Sequence, residues 1–366
     1  MDNLTRERSL RMRGAAILMI VLHNFLHMTV HVKENEFFFS SIKTDMLLDS
    51  FSSFSSPFIR IFFSYFGWYG VPVFMFLSGY GLVMKHERNS SGGNSSKQGS
   101  RLQVVPYLWK NFLKLFVLLA PCFLIYILIS RQPVFSDLSV AQFTMTINLY
   151  RPRMIVPGVY WYFGLTLQFY ILYLLFYRFR SKAFLITVIF LMMAAGMAVE
   201  FLADDNTNAI LRHNSPLWLP VFLVGVWYAR QKMVPGLAFF RKHWGLVLMA
   251  FTILWVWSTV SPWLWTFSPL FVLPIFGLIG IHFCEGIGLS GFWRYLSSFF
   301  SRCFAYLGEI SAALFVCHPL VRTLPIREYM GDSFFIVTLT YFIICVLVAA
   351  VYNKCYKMVM NKLLSR

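Results

Sequence analysis

The chain has 366 residues, 58% of them hydrophobic and only 13% charged, with 32 Lys and Arg against 15 Asp and Glu. A soluble domain carries about 25% charged residues, so a water-facing globule is excluded, and a mean hydropathy of +0.64 requires apolar surface that faces lipid. The formal charge of +17 would suggest nucleic acid in a soluble protein, but here its distribution follows membrane topology.

Ten apolar runs are long enough to cross a hydrocarbon core, which takes about 20 helical residues. In chain order they lie near 14–31, 60–84, 112–130, 158–177, 183–202, 216–230, 244–260, 264–283, 304–323 and 334–353. The sixth is short, and Pro262 and Pro269 soften the edges of the seventh and eighth. Their length and lack of alternation predict helices rather than barrel strands. The expected fold is thus an all-α integral membrane protein, a bundle of about ten transmembrane helices with a cavity open to the cytoplasm.

With the N-terminus inside, 23 of the 32 basic residues fall on cytoplasmic segments and nine on external ones. The positive-inside rule then places both termini in the cytoplasm. Residues 1–13 form a basic cytoplasmic N-terminus, 14–353 the transmembrane domain and 354–366 a basic cytoplasmic tail. A flexible cytoplasmic linker, about 86–103, contains the low-complexity stretch NSSGGNSSKQGS. The start resembles a signal peptide in its basic and apolar regions, but no small-residue cleavage site follows His31, so a retained first helix is expected. The six cysteines are scattered and lack metal-type spacing, so they read as small buried hydrophobes, and no metal site is expected.

Ionisable groups inside apolar runs are costly, and each is a functional candidate. The first run is richest, with His23, His27 and His31 four residues apart and therefore on one helix face. His23 lies about 15 Å from Arg13 along the axis, near mid-membrane. Imidazole suits proton transfer because its ordinary pKa of about 6.5 is close to the working pH. The second run carries Gly67, Gly70, Pro72, Ser78, Gly79, Tyr80 and Gly81, small groups that let helices or a ligand approach closely, with Lys85 and Arg88 behind. The ninth holds Glu309 and His318; a buried carboxylate there needs a partner, either a catalytic His or Arg or a purely structural one. On the outer side Arg131, Arg151, Arg153 and Arg212 depart from the positive-inside bias, and Arg151 and Arg153 suit an anionic or hydroxyl-rich acceptor or a solvated loop.

Four of these patterns occur together in an order that resembles the acyltransferase-3 family of membrane-bound acyltransferases, which modify bacterial surface glycans. They are Arg13 followed by His23, the stretch GVPVFMFLSGYGL with Lys85 close behind, Tyr160-Trp161-Tyr162-Phe163, and GEISAALFVCHPLV. The resemblance covers essentially the whole chain. It departs from the family in one spacing: nine residues separate Arg13 from His23 where ten are usual, a shift of about 100° around a helix. Either the pairing is flexible or Arg11 or His27 takes part. Ala312 and Phe315 also stand where tyrosines are common.

The resemblance implies O-acyl transfer from cytoplasmic acyl-CoA, most often acetyl-CoA, to a hydroxyl of a cell-surface or lipid-linked glycan in a bacterial plasma membrane. His23 would be the general base or carry the acyl group, with Arg13 and Glu309 completing the catalytic set. Arg13, Ser78, Gly79, Tyr80, Lys85 and Arg88 would bind the donor, and Trp161, His318, Arg151 and Arg153 the acceptor. No tightly bound cofactor is implied. The competing reading is a transporter or flippase of a lipid-linked sugar or small polar solute, using the same groups without chemistry.

Overall fold

The computed structural model describes residues 4–30, 32–52, 58–88, 102–231, 242–286, 288–330 and 333–364. The third histidine of the first helix, His31, and most of the linker lie outside them. Every regular element among the described residues is helical: α1 (Arg6–Leu26), α2 (Ser41–Ser52), α3 (Phe58–Phe66), α4 (Gly70–Val83), α5 (Val104–Ile129), α6 (Asp137–Phe143), α7 (Trp161–Arg178), α8 (Lys182–Leu202), α9 (Asp205–Arg212), α10 (Ser215–Arg230), α11 (Trp244–Val260), α12 (Ser268–Leu278), α13 (Gly291–Glu309), α14 (Ser311–Val321), α15 (Ile326–Met330) and α16 (Phe334–Leu364).

All ten apolar runs have a helical counterpart, but not all are full spans. Seven described helical segments are long and apolar enough to cross a bilayer, and an eighth if α13 and α14, bent by 78° at Ile310, count as one. Two of the ten expected spans fall short, α11 with 17 residues and α10 with 16. At 1.5 Å rise neither reaches 30 Å unaided. The second span runs through α3, a 3₁₀ turn at 67–69, α4 and a π-type turn at Met84–Arg88.

Lipid exposure separates the spans. Of the apolar window of α8 only 11% is buried, and of α16 22%, against 78% for the second span. Side chains such as Phe190, Leu191 and Phe335 on the first two are exposed apolar groups of the kind that a lipid-facing helix presents.

The chain divides into two compact units, residues 1–74 with 235–366, and 75–234. In the first, α1 is the central element. Thr5 caps its N-terminus by accepting from the Arg8 N–H at 3.2 Å. Its small residues Gly14, Ala15 and Ala16 are buried. Gly14 lies against the Phe304 backbone of α13, and Gly308 of α13 lies in turn against the Leu10 backbone of α1. A Cβ at either position would overlap a carbonyl, so this pair of glycines fixes how closely the two helices meet.

The second unit uses the same device. Gly79 of α4 lies against the Phe222 backbone of α10, and Gly225 of α10 against the Phe76 backbone of α4. A buried polar network joins its other end: the Asn148 amide donates to the Trp161 and His213 carbonyls, both at 2.7 Å, and Gln168 donates to Asn214 at 2.5 Å.

Candidate functional site

The densest group of proton-transfer side chains in the first unit lies at the C-terminal end of α1. His23 is 5% exposed and places Nδ1 3.0 Å from the Ser64 carbonyl and 3.3 Å from that of Phe63. Both partners are acceptors, so Nδ1 carries the proton and Nε2 keeps its lone pair. Gly67 packs against the His23 Cβ and lets α3 and the following turn come this close.

One turn on, His27 meets a carboxylate. Its Nδ1 lies 2.6 Å from Glu34 Oε2, and the His23 and His27 rings are 5.5 Å apart, tilted by 52°. Glu34 sits in the irregular segment after α1, which is firmly fastened. Asn35 donates to Thr44 Oγ1 at 3.2 Å and to Tyr65 Oη at 3.1 Å, and the Trp265 indole donates to the Asn35 carbonyl at 2.8 Å. Lys43 donates to the Glu34 carbonyl at 2.7 Å, and Lys33 donates to the His27 carbonyl. Burial would raise the Glu34 carboxyl, but the hydrogen bond from His27 and the positive potential of both histidines outweigh it and hold the group below its usual range. Glu36, half-buried and close to the Glu34 charge, is pushed well above that range, chiefly by desolvation.

Among the described residues, His23, His27 and Glu34 are the set that brings three ligand-type atoms within 4.8 Å of one another. In this arrangement both Nδ1 atoms are engaged in hydrogen bonds, His23 to backbone carbonyls and His27 to Glu34. His27 had been considered from the spacing of the histidines. Glu34 had not, and the signal available was the charged run Lys33-Glu34-Asn35-Glu36 directly after the histidine-rich helix.

His318 lies in the same unit, in α14, fully buried and within electrostatic reach of His23. Its Nδ1 bonds to the Leu314 carbonyl at 3.2 Å, and its Nε2 has no partner. Arg322, one turn on, donates to the Asn24 carbonyl at 3.1 Å and ties α14 to α1. Arg13 is half-buried on α1, ten residues from His23 and so about 15 Å away along the helix. Arg11, the other candidate, is held by Glu7 and lies 3.6 Å from Glu285, which Arg8 also engages at 2.6 Å.

The expectation of a buried Glu309 is corrected. The 78° bend after α13 leaves this residue at a helix end with its side chain 52% exposed, bonded to an equally exposed Lys357 at 2.8 Å. It contributes nothing to the histidine cluster.

The other expected site residues belong to the second unit. Gly79 lies in a helix contact, against the Phe222 backbone. Ser78 is half-buried and Tyr80 buried beside Tyr228. Lys85 is exposed, with Lys110 and Lys114 close by. Arg88 ends the same π-type turn. Its neighbour Glu87 is buried in an ion pair with Arg230 (2.8 and 2.9 Å) and accepts from Tyr173 at 2.9 Å. Trp161 is buried between His213 and Trp218, while Arg151 and Arg153 are exposed in the segment before α7. Arg212, an exception to the positive-inside bias, is buried against Glu200 at 3.2 Å.

Fold and site together define a polytopic helical integral membrane protein with a buried histidine–carboxylate cluster suited to moving protons. Residues 11–354 match the family model of the acyltransferase domain of acyltransferase-3 proteins, and the chain belongs to that family of acyltransferases. Comparisons with curated proteins and with solved structures gave no significant match.

Proposed function

We propose that the protein transfers an acyl group, acetyl in the simplest case, from acyl-CoA to a hydroxyl of a cell-surface or lipid-linked glycan in a bacterial plasma membrane. The observation that carries this reading is the state of His23 within a family of acyltransferases: Nδ1–H is donated to two backbone carbonyls, so the neutral ring presents a basic Nε2 in a buried position. Such a nitrogen is equipped to accept a proton from an attacking hydroxyl or to attack a thioester itself.

The basic excess supports a donor that enters from the cytoplasm. CoA carries several phosphate charges, and Arg13 lies on the helix of His23 towards its basic end. Lys85, Lys110 and Lys114 offer cationic groups of the same kind in the second unit. Trp161, His318, Arg151 and Arg153 remain the assignment for the acceptor.

The test is purified protein in nanodiscs with radiolabelled acetyl-CoA and a total glycolipid extract, wild type against His23→Ala. Label moving to glycolipid with the wild type alone supports the reading. A wild type that neither binds nor turns over acetyl-CoA or longer acyl-CoA donors overturns it.

A further inference from the structure

The two histidines at the end of α1 are held in chemically different ways. His23 donates Nδ1–H to the neutral carbonyls of Phe63 and Ser64, and His27 donates it to the carboxylate of Glu34 at 2.6 Å. In both rings the donor is Nδ1, so in both the free lone pair belongs to Nε2. What differs is the fate of a proton placed on that nitrogen. An imidazolium at His23 would sit buried and bonded to carbonyl dipoles, with the Glu34 carboxylate near but not bonded to it, whereas one at His27 would face that negative charge at hydrogen-bond distance.

The surroundings of Glu34 show that its place is built. Asn35 bonded to Thr44 and Tyr65, Trp265 bonded to the Asn35 carbonyl, and Lys43 bonded to the Glu34 carbonyl together pin an irregular segment against the helix end. Glu34 is itself only 9% exposed. A carboxylate held this way orients the imidazole, fixes its tautomer and stabilises its cation, as the acid does in a carboxylate–histidine–nucleophile triad.

We propose that His27, oriented by Glu34, is the base that takes the acceptor's hydroxyl proton, with Glu34 as its positioning residue and His23 as its neutral neighbour. The inference rests on the acyl-transfer reading above. As the hydroxyl oxygen attacks the thioester carbonyl carbon, its proton passes to His27 Nε2. The tetrahedral intermediate then expels CoA as a thiolate, the C–S bond breaks, and the thiolate takes the proton back from His27. The products are the ester and CoA-SH, and no oxidant or co-reactant is consumed.

Charged and titratable groups facing the pair are His23, Lys33, Glu36, Lys43 and Tyr65, with His318 within reach of His23, Arg60 donating to the Thr29 carbonyl and Arg322 to that of Asn24. The test is the pH–rate profile of acetyl transfer from radiolabelled acetyl-CoA to the glycolipid extract, for wild type, His27→Gln, Glu34→Gln, Glu34→Asp and His23→Gln in nanodiscs. His27→Gln is expected to lower kcat by about 100-fold or more with little change in KM for acetyl-CoA. Glu34→Gln is expected to lower kcat with little change in KM for acetyl-CoA, because the imidazole loses the carboxylate that orients it, and Glu34→Asp to restore part of the loss. Active His27→Gln with the wild-type limb overturns the proposal and leaves the base role to His23. A wild type without turnover defeats the acyl-transfer reading instead. Histidine-selective nitrogen-15 NMR on the same samples reads the pair without substrate. A downfield Nδ1–H resonance of His27 bonded to Glu34 is expected, and Glu34→Gln is expected to remove it; its absence from the wild type overturns the proposal.

Discussion

Gly67 and His23 are in direct contact: a Cβ at position 67 would lie 2.5 Å from the His23 Cβ and 2.7 Å from the Met19 carbonyl. Neither neighbour can yield without shifting α1, so Gly67→Ala is expected to displace the imidazole from the Phe63 and Ser64 carbonyls. Overpacking of this kind costs about 1–3 kcal/mol, and a shift of about 1 Å within a reacting cluster costs on the order of 100-fold in rate. Acyl transfer by Gly67→Ala should therefore fall far more than its folded yield. Gly81→Ala is the control, since a Cβ there meets nothing within 4 Å; equal losses in both variants would count against the contact.

Glu200 and Arg212 test how firmly the polar network of the second unit is held. The pair is 3.2 Å apart with side chains 8% and 5% exposed, and burial lowers the guanidinium to about 10 even beside its carboxylate. Removing one partner leaves a buried, uncompensated charge, which costs about 3–5 kcal/mol. Glu200→Gln should unfold at markedly lower denaturant than wild type, and the double variant Glu200→Met, Arg212→Met should recover much of the loss. A neutral single variant would mean that water reaches the pair.

The exposed pair Glu309 and Lys357 predicts the opposite. Ion pairs this open contribute about 0–1 kcal/mol, and neither residue touches the histidine cluster. Glu309→Gln should match the wild type in stability and in acyl transfer. Loss of transfer comparable to that of His23→Ala would show that Glu309 takes part in chemistry.

The helical membrane class was legible because apolar runs of membrane length admit few other folds, and His23 was legible because an ionisable group inside such a run stands out. Three features escaped the linear pattern, each for a physical reason. Glu34 acts from an irregular segment, where no periodicity links it to His27. Glu309 looked buried because its neighbours are apolar, and Gly308, two residues before the bend at Ile310 that turns it outwards, reads equally well as a helix-packing residue. Gly79 belongs to a stretch whose small residues suit close approach in general, and its contact with the Phe222 backbone depends on how α4 and α10 pack, which the linear pattern does not carry.

His213 gives the second unit a pH dependence whose sign can be worked out. It lies between α9 and α10, where burial is the largest influence and Arg153 adds to it; together they overcome the bond from Nδ1 to the Ala209 carbonyl and lower the imidazole to about 4. The folded state thus keeps the ring neutral while the unfolded chain protonates it near its ordinary value of about 6.5. Between those values the unfolded state binds more protons, so stability is complete above about pH 6.5 and declines as pH falls towards 4. The size is on the order of a few kcal/mol at full protonation, large beside the net stability of a domain. Denaturant unfolding in nanodiscs at neutral and mildly acidic pH should show this decline in the wild type and a flatter response in His213→Gln. The replacement amide keeps a donor for the Ala209 carbonyl but has no proton to take up. An unchanged slope in the variant would place the acid sensitivity on other groups, with Glu36 and its neighbours in the first unit the next to examine.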